Sequence, residues 1–207
     1  MKLITSIIIF GILFLSINVL AQTENVDDKS STDEAVESAK EATTSPDYTT
    51  EGQKLLEEKK YKEAIEAFTK AVEAFKEDIP AYLGRGNAYI AINQFDKALQ
   101  DFNKVLELDS DSASAYLGRA QVYSAKKDVK SAIDNYSKAI EIEPKNITAY
   151  IGRAIAYTEG KMLDKAADDY SSAINLEAKS VFLYIARANI YQQLGKSDEA
   201  IADFSKT

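Results

Sequence analysis

The residues able to do chemistry in this 207-residue chain are acids, amides and arginines, because the sequence contains no histidine and no cysteine. That absence excludes imidazole catalysis, thiol nucleophiles, disulfides and the common zinc sites. Neighbouring carboxylates occur at Asp27–Asp28 and Asp168–Asp169, but adjacent residues on a helix point apart and do not form a general acid–base pair. No glycine-rich phosphate loop is present. We therefore predict a protein that is not an enzyme and has no catalytic residues.

Three acids at alternate positions, Glu107, Asp109 and Asp111, come closest to a cation site. Their spacing lacks the glycine and the closing glutamate of a calcium loop, so we predict no metal site and no cofactor. The formal net charge is -8. This charge argues against nucleic acid, which requires a basic face, and against docking on an anionic membrane surface. A protein or peptide is the expected partner, and no small-molecule substrate is expected.

The elements that position these residues are set by a repeat of 34 residues that continues for five copies. The hexapeptide AYLGRG at 81–86 returns as AYLGRA at 115–120 and as AYIGRA at 149–154. Within each copy, aromatic and small residues follow one another at steps of four and three, which is the spacing of a helix face. A second such face follows. Two amphipathic helices cannot bury their apolar stripes alone, so the pattern predicts that neighbouring copies stack into one continuous core.

One copy shows the motif in full: Tyr82-x2-Arg85-Gly86-x2-Tyr89, then Ala98-x3-Phe102. This motif resembles the tetratricopeptide repeat, although the consensus tryptophan is a tyrosine throughout. The closing proline of that family occurs only as Pro144, and its other places hold Lys76, Ser110 and Ala178, so we expect those helix ends to run on slightly. The resemblance implies an all-α fold, a right-handed α-solenoid of about five antiparallel helix pairs with a concave groove.

Composition divides the chain into three segments. Residues 1–21 combine Lys2 with an apolar run that ends in Val19-Leu20-Ala21, the layout of a secretory signal peptide; an uncleaved membrane anchor is the alternative. Residues 22–46 form an acidic linker without aromatic residues, which predicts disorder. Residues 47–207 form the repeat domain, with units at about 45–78, 79–112, 113–146, 147–180 and 181–207. We therefore expect an exported protein, periplasmic or extracellular, that touches a membrane only if the first segment is uncleaved.

Arginines and acids also follow the repeat. One column holds Arg85, Arg119, Arg153 and Arg187, and another holds Asp101, Asn135, Asp169 and Asp203. The first unit lacks both members. We predict structural ion pairs between the two helices of a unit, in which a planar guanidinium bridges a carboxylate. The predicted pairs are Arg85 with Asp101, Arg153 with Asp169, and Arg187 with Asp203. The alternatives are pairing with the acid of the preceding unit and a free row of arginines that binds anions.

If the first helix of each unit lines the groove, as the resemblance implies, two of its columns face a ligand. The candidate peptide-binding residues are Leu83, Asn87, Leu117, Gln121, Ile151, Ile155, Ile185 and Asn189. An amide row suits a peptide backbone, because an amide both donates and accepts hydrogen bonds, and an aliphatic row offers apolar anchors. The alternative is that the aliphatic side chains only pack against the next unit.

Some members of the family hold a C-terminal carboxylate with a clamp of basic and amide residues. The matching columns here contain Ser114, Gly118, Thr148 and Gly152, so no clamp is expected. At the other end of the repeat, the sequence stops at Thr207, which leaves Ala200, Ile201 and Phe204 with one uncovered side; we name these three residues the open end. We expect the open end to fray, to mark a truncated reading frame, or to dock on another molecule. A second copy docked there would form a two-fold dimer.

The leading hypothesis is therefore a non-enzymatic protein–protein interaction scaffold of the cell envelope, which binds a peptide or helix in the concave groove. The alternative is a structural component of a larger envelope assembly that associates with itself through the open end. The sequence names neither the partner nor the pathway, because a repeat surface specifies shape and polarity rather than a ligand.

Overall fold

In this computed structural model, residues 47–177 and 179–207 are described. The predicted signal peptide and linker, residues 1–46, lie outside this part of the chain. The described residues form ten helices and no strand, within one compact unit that spans Asp47–Thr207. The helices are α1 (Tyr48–Glu57), α2 (Tyr61–Ala74), α3 (Ile79–Ala91), α4 (Phe95–Leu108), α5 (Ala113–Ala125), α6 (Val129–Ile142), α7 (Ile147–Glu159), α8 (Leu163–Leu176), α9 (Val181–Gln193) and α10 (Ser197–Phe204).

The helices pack as five consecutive pairs, and each second helix also packs on the first helix of the next pair. A residue in the left-handed region lies at the same repeat position in every turn within a pair: Lys59, Asn93, Lys127, Lys161 and Gly195. This conformation ends the first helix and reverses the chain, so the second helix lies alongside it. The predicted all-α solenoid of helix pairs is confirmed.

Five of the ten described helices, α1, α3, α5, α6 and α7, begin where a short polar side chain caps a free backbone N–H group of the first turn. Asp78 accepts a hydrogen bond from the backbone of Ala81 at 2.9 Å, and Asn146 accepts one from Ala149 at 3.0 Å. The prediction that helices without the closing proline run on was wrong, because α2 and α4 end at positions equivalent to the last residue of α6, which does precede Pro144. The residue after each of these helices turns away from helical geometry in all three cases, so the chain reaches the next cap without proline.

The recurring hexapeptide is explained by how closely aromatic rings approach the helices. The ring of Phe68 lies between two glycines, so that an added Cβ would come within 2.7 Å of it at Gly52 and 2.2 Å at Gly84. The ring of Phe102 is held in the same way, at 2.8 Å from such a Cβ at Gly86. One glycine belongs to the ring's own unit and the other to the next unit. The small residues of the hexapeptide therefore make room for the ring that joins two units, and each ring is fully buried there.

Candidate functional site

The inner face of the solenoid is made by the first helices of the units. Helix α1 contacts α3, α3 contacts α5, and α5 contacts α7, whereas the second helices pack against the first helices on either side. Neighbouring elements of a curved stack approach most closely on its inner side. Helices α1, α3, α5 and α7 therefore line the concave side, where the candidate groove residues were predicted, and α9 is the equivalent helix of the fifth unit.

The aliphatic row of that face is mostly engaged in packing. Leu83, Leu117 and Ile151 are half-buried, and each packs against one of the core clusters between units. Ile185 differs, because 39% of its surface is exposed. Packing between units thus accounts for three of the four predicted aliphatic anchors, and one remains open to a ligand.

The amide row is more accessible than the aliphatic row. Asn87 and Asn189 are exposed, and Gln121 is half-buried. Ile155 takes the amide position in the fourth unit and is 45% exposed. The inner face therefore offers hydrogen-bonding groups along most of its length and an apolar surface toward its C-terminal end.

A pocket of about 350 Å³ opens on the inner face between α7 and α9. Its lining residues are Ile155, Thr158, Glu159, Tyr170, Phe182, Ile185, Ala186, Asn189, Ile190 and Gln193, and we name it the anchor pocket. Sequence reasoning missed Phe182, which is 59% exposed. The signal was present in its column, since the equivalent positions hold Pro80, Ser114 and Thr148. A large aromatic residue that replaces small residues at one repeat position indicates a local role.

The arginine column lies apart from the candidate groove residues, between the two helices of a unit. Nε and Nη2 of Arg85 donate to the two carboxylate oxygens of Asp101 at 2.9 and 2.7 Å. The pairs of Arg153 with Asp169 and of Arg187 with Asp203 have the same forked geometry, with distances of 2.7–2.8 Å. All three carboxylates are buried. The structure thus brings together the three pairs named from the sequence.

Burial and ion pairing shift the pKa values of these groups in opposite directions. Burial raises the pKa of Asp101 despite the neighbouring guanidinium of Arg85, whose hydrogen bond and charge lower it. The hydrogen bond to Asp169 raises the pKa of Arg153, and burial opposes this shift. Each arginine remains charged at neutral pH, so these pairs are fixed structural bridges.

The remaining guanidinium nitrogen of each of these arginines, Nη1, donates a hydrogen bond to the preceding unit. Nη1 of Arg85 donates to the Thr69 hydroxyl at 3.2 Å, and Nη1 of Arg153 donates to the Ser137 hydroxyl at 3.0 Å. Nη1 of Arg187 makes the equivalent bond to Ser171 at 2.8 Å. The contact with the preceding unit is therefore made to a hydroxyl, while the acid comes from the arginine's own unit.

The third unit breaks this series. Arg119 faces Asn135 in place of an aspartate, and its buried Nε has no hydrogen-bond partner among the described residues. The side-chain nitrogen of Asn135 donates instead to the backbone oxygen of Ser131 at 2.8 Å. One guanidinium in the middle of the domain is consequently held without the carboxylate that its counterparts have.

Of the acidic residues considered for catalysis or cation binding, Asp27 and Asp28 lie outside the described residues, and two of the others are already paired. Asp169 is buried beside Arg153, whereas its neighbour Asp168 is exposed. Glu107 accepts a hydrogen bond from Lys104 at 3.1 Å. Within residues 47–177 and 179–207, no three histidine, cysteine or acidic side chains come together in a way that would hold a metal ion. None of the helices described there has the length and apolar character needed to cross a bilayer.

Two of the three residues of the open end are exposed to solvent, and the third is buried. Ile201 is 66% exposed and Phe204 is 37% exposed, whereas the equivalent Phe68 and Phe102 are fully buried. The expectation that Ala200 has an uncovered side was wrong, because this residue is buried. Helix α10, which carries Ala200, packs on α9, the first helix of its own pair.

Comparisons with known proteins agree with this architecture. Tetratricopeptide repeat family models match residues 55–121, 113–146 and 183–206, together more than half of the chain. A search among curated protein sequences found no match.

Several solved structures have a similar fold. MamA is 26% identical with a TM-score of 0.68, over 75% of this chain and 91% of that one. MamA from Desulfovibrio magneticus RS-1 is 20% identical with a TM-score of 0.69, over 77% and 90% of the two chains. A thermophilic tetratricopeptide repeat protein of Thermus thermophilus is 20% identical with a TM-score of 0.63, over 77% and 87%. The family matches, the helix pairs and these folds together show that the chain is a tetratricopeptide repeat protein.

Proposed function

We propose that this protein is a non-enzymatic scaffold that binds a peptide or helix of a partner protein on its inner face. The observation that carries the proposal is the accessible row of amides that continues into the apolar anchor pocket on the same face. Amides pair with the backbone of a bound segment, and apolar side chains contribute most of the binding energy of such contacts. Membership of a family that mediates protein–protein interactions supports the same conclusion.

We propose in addition that the protein acts in the cell envelope or outside the cell. The support is the sequence of residues 1–21, which has the charge, apolar run and small-residue end of a signal peptide. Mass spectrometry of the protein recovered from cells tests this proposal. An N-terminus at Gln22 supports export, whereas an intact N-terminus in the cytoplasmic fraction contradicts it.

Self-association through the open end is a second candidate function. It is favoured by Ile201 and Phe204, which expose apolar surface on α10, the last of the described helices. A molecular mass that rises with concentration, and that returns to one chain in Ile201→Glu, would support this candidate over a monomeric peptide binder.

The main test is affinity capture from a cell-envelope extract with the chain from Gln22 onward, which contains the whole compact unit. A groove variant carries Asn87→Glu, Ile155→Glu and Asn189→Glu, three exposed positions of the inner face. A matched control carries the same kinds of change on second helices, and its substitutions are Gln100→Glu, Asn175→Glu and Ile201→Glu. Both must keep the parent's helicity and melting temperature.

A protein that is held by the parent and by the control, but lost by the groove variant, is the expected result. Equal capture by all three would contradict the groove as a binding site. Capture of the chain alone, lost in the control, would favour self-association.

A further inference from the structure

We infer that the anchor pocket binds one bulky, uncharged, aromatic side chain from an extended segment of a partner protein. This inference rests on the groove function proposed above and specifies the chemistry of the ligand at one point of that groove. It is argued from the location of the apolar surface, the space available, one hydroxyl group and the charge of the site.

Apolar exposure is concentrated at one place on the inner face. Ile155, Phe182 and Ile185 all line the same pocket, and each is more exposed than the buried aliphatic residues of the repeat. Exposed apolar surface of this kind on a soluble domain marks a contact site. In the other units the position of Phe182 holds proline, serine or threonine, so this surface does not come from the repeat pattern itself.

The space for a side chain arises from the spacing of the first helices. Among the described helices, α1 with α3, α3 with α5 and α5 with α7 are in contact, but α7 and α9 are no longer among the principal contacting pairs. The resulting pocket of about 350 Å³ lies at the lower end of the usual range for ligand sites. A site of this size suits one large side chain together with part of its backbone.

One polar group is available at the pocket wall. The repeat column that holds phenylalanine in the first, second and fifth units holds Tyr136 in the third and Tyr170 in the fourth, and the ring of Tyr170 lines the pocket. Among the described residues its hydroxyl makes no hydrogen bond, and burial raises its pKa, so the hydroxyl stays protonated. A hydroxyl at a pocket wall that lacks a protein partner is available to an indole N–H or to a backbone carbonyl of the ligand.

The polarity of the site disfavours a charged ligand side chain. Glu159 is the one charged residue of the pocket lining, and the exposed Lys127 pairs with it at 2.7 Å. An acidic side chain would meet this carboxylate on a protein of net charge -8, and a basic one would lose its hydration in a mainly apolar pocket whose single carboxylate is already paired. An uncharged aromatic side chain meets neither obstacle.

The same charge argument favours a different protein over a second copy of this chain. Among the described residues, the most exposed aromatic residue away from the pocket is Phe75, which is 58% exposed. It stands in the segment EAFKED, residues 73–78, whose three acids outweigh Lys76, so inserting it would bring net negative charge to the rim of an acidic protein. A partner segment with neutral neighbours around its aromatic residue fits better.

The inference can be tested by fluorescence, because the chain contains no tryptophan. The probe is acetyl-Ala-Trp-Ala-amide, and its indole emission reports only on the ligand. With the chain from Gln22 onward, we expect a saturable blue shift and rise in anisotropy, with a dissociation constant on the order of 1 mM. Acetyl-Ala-Phe-Ala-amide should compete, and acetyl-Ala-Asp-Ala-amide should not.

Substitutions inside and outside the pocket test whether the probe binds in the anchor pocket. Ile155→Glu and Phe182→Ser should each weaken binding about 10-fold or more, and Tyr170→Phe, an isosteric change, should weaken it about 5-fold without changing the melting temperature. Ile201→Glu, an exposed apolar position outside the pocket, should bind like the parent. Unchanged binding in Ile155→Glu, no binding by the parent, or loss in Ile201→Glu would each overturn the inference.

Two further outcomes separate this inference from the proposed function. If the probe does not bind but the groove variant still loses its captured partner, the groove function stands and the aromatic anchor is wrong. If the chain dimerises and Phe182→Ser abolishes the dimer, the occupant is a second copy, and the inference is overturned. Equal capture by groove and control variants contradicts the groove function, whatever the probe does.

Discussion

Replacing Asn135 by aspartate should stabilise the domain, because it supplies the carboxylate that Arg119 lacks. In the three paired units, each aspartate accepts two hydrogen bonds from its arginine at 2.7–2.9 Å. In the third unit the Nε of Arg119 is buried without a partner. Asparagine and aspartate have the same shape, so the substitution requires no repacking.

The magnitude follows from two favourable and two unfavourable contributions. Charge-assisted hydrogen bonds contribute about 1.5–3 kcal/mol, and an unsatisfied buried donor costs a similar amount. Against this, Asn135→Asp loses the bond to Ser131, about 1 kcal/mol, and buries a carboxylate. The raised pKa of Asp101 shows that such burial opposes ionisation. We expect a net gain of about 1 kcal/mol in the free energy of unfolding, or about 2–4 °C in melting temperature.

The assay is thermal and urea unfolding followed by circular dichroism. Gln100→Glu is the matched control, since it makes the same change of charge at an exposed helix position and should leave stability nearly unchanged. The mirror substitution Asp101→Asn should destabilise by about 2 kcal/mol, because it gives Arg85 the environment of Arg119. In the Asn135→Asp background, Arg119→Lys should remove most of the gain, since an ammonium cannot form the fork.

A neutral or destabilising Asn135→Asp, with Asp101→Asn also neutral, would refute this reasoning. That result would mean that packing of the aliphatic side-chain carbons and contact with aromatic rings hold these arginines in place. The guanidinium of Arg85, for example, lies 5.5 Å from the centre of the Tyr82 ring. A gain equal to that of Gln100→Glu would assign the effect to net charge alone.

Three further predictions concern the elements that build the solenoid. Gly84→Ala should destabilise by about 1–3 kcal/mol in urea unfolding, because its Cβ would come 2.2 Å from the Phe68 ring; a melting curve like the parent's would show that the ring can move. Asp128→Ala should lower the melting temperature at neutral pH, since the Asp128 carboxylate caps α6 through Ser131, and these hydrogen bonds lower its pKa from 3.8. A carboxyl with a lowered pKa stabilises the fold above pH 3.8 and loses this effect as the pH falls through its folded pKa, so parent and variant should converge in acid; a difference that persists there would contradict the capping role. Lys59→Gly should stabilise by up to about 1 kcal/mol in thermal unfolding, because Lys59 has a φ of 59° that glycine adopts without strain; a loss of stability would show that the side chain contributes contacts that outweigh the strain.

Much of the fold was predictable because it depends on contacts between residues that are close in the repeat. The spacing of aromatic and small residues specified two helices per unit, and the matched columns of Arg85 and Asp101 indicated which side chains meet between them. The position of helix ends was less predictable: the absent prolines suggested longer helices, but the capping residues such as Asp78 and the packing of the next helix fixed the ends.

The candidate site was only partly predictable. The columns of the inner face were assigned from the sequence, but the sequence did not distinguish the half-buried Leu83 and Leu117 from the exposed Ile185. The sequence prediction missed Phe182, because its column was assessed only for a carboxylate clamp, through Ser114 and Thr148, and a lone aromatic residue in the fifth unit does not fit that pattern.

The sequence by itself determined the number of helix pairs, their order and the ion pairs within them, because each of these follows from nearest-neighbour interactions that recur every 34 residues. Only the tertiary structure decided which apolar residues remain open to a ligand. Exposure depends on the distance between successive first helices, which comes from the packing of all side chains between two units. Between α7 and α9, which are not among the principal contacting pairs of first helices, Ile155 and Phe182 line a pocket instead of a core.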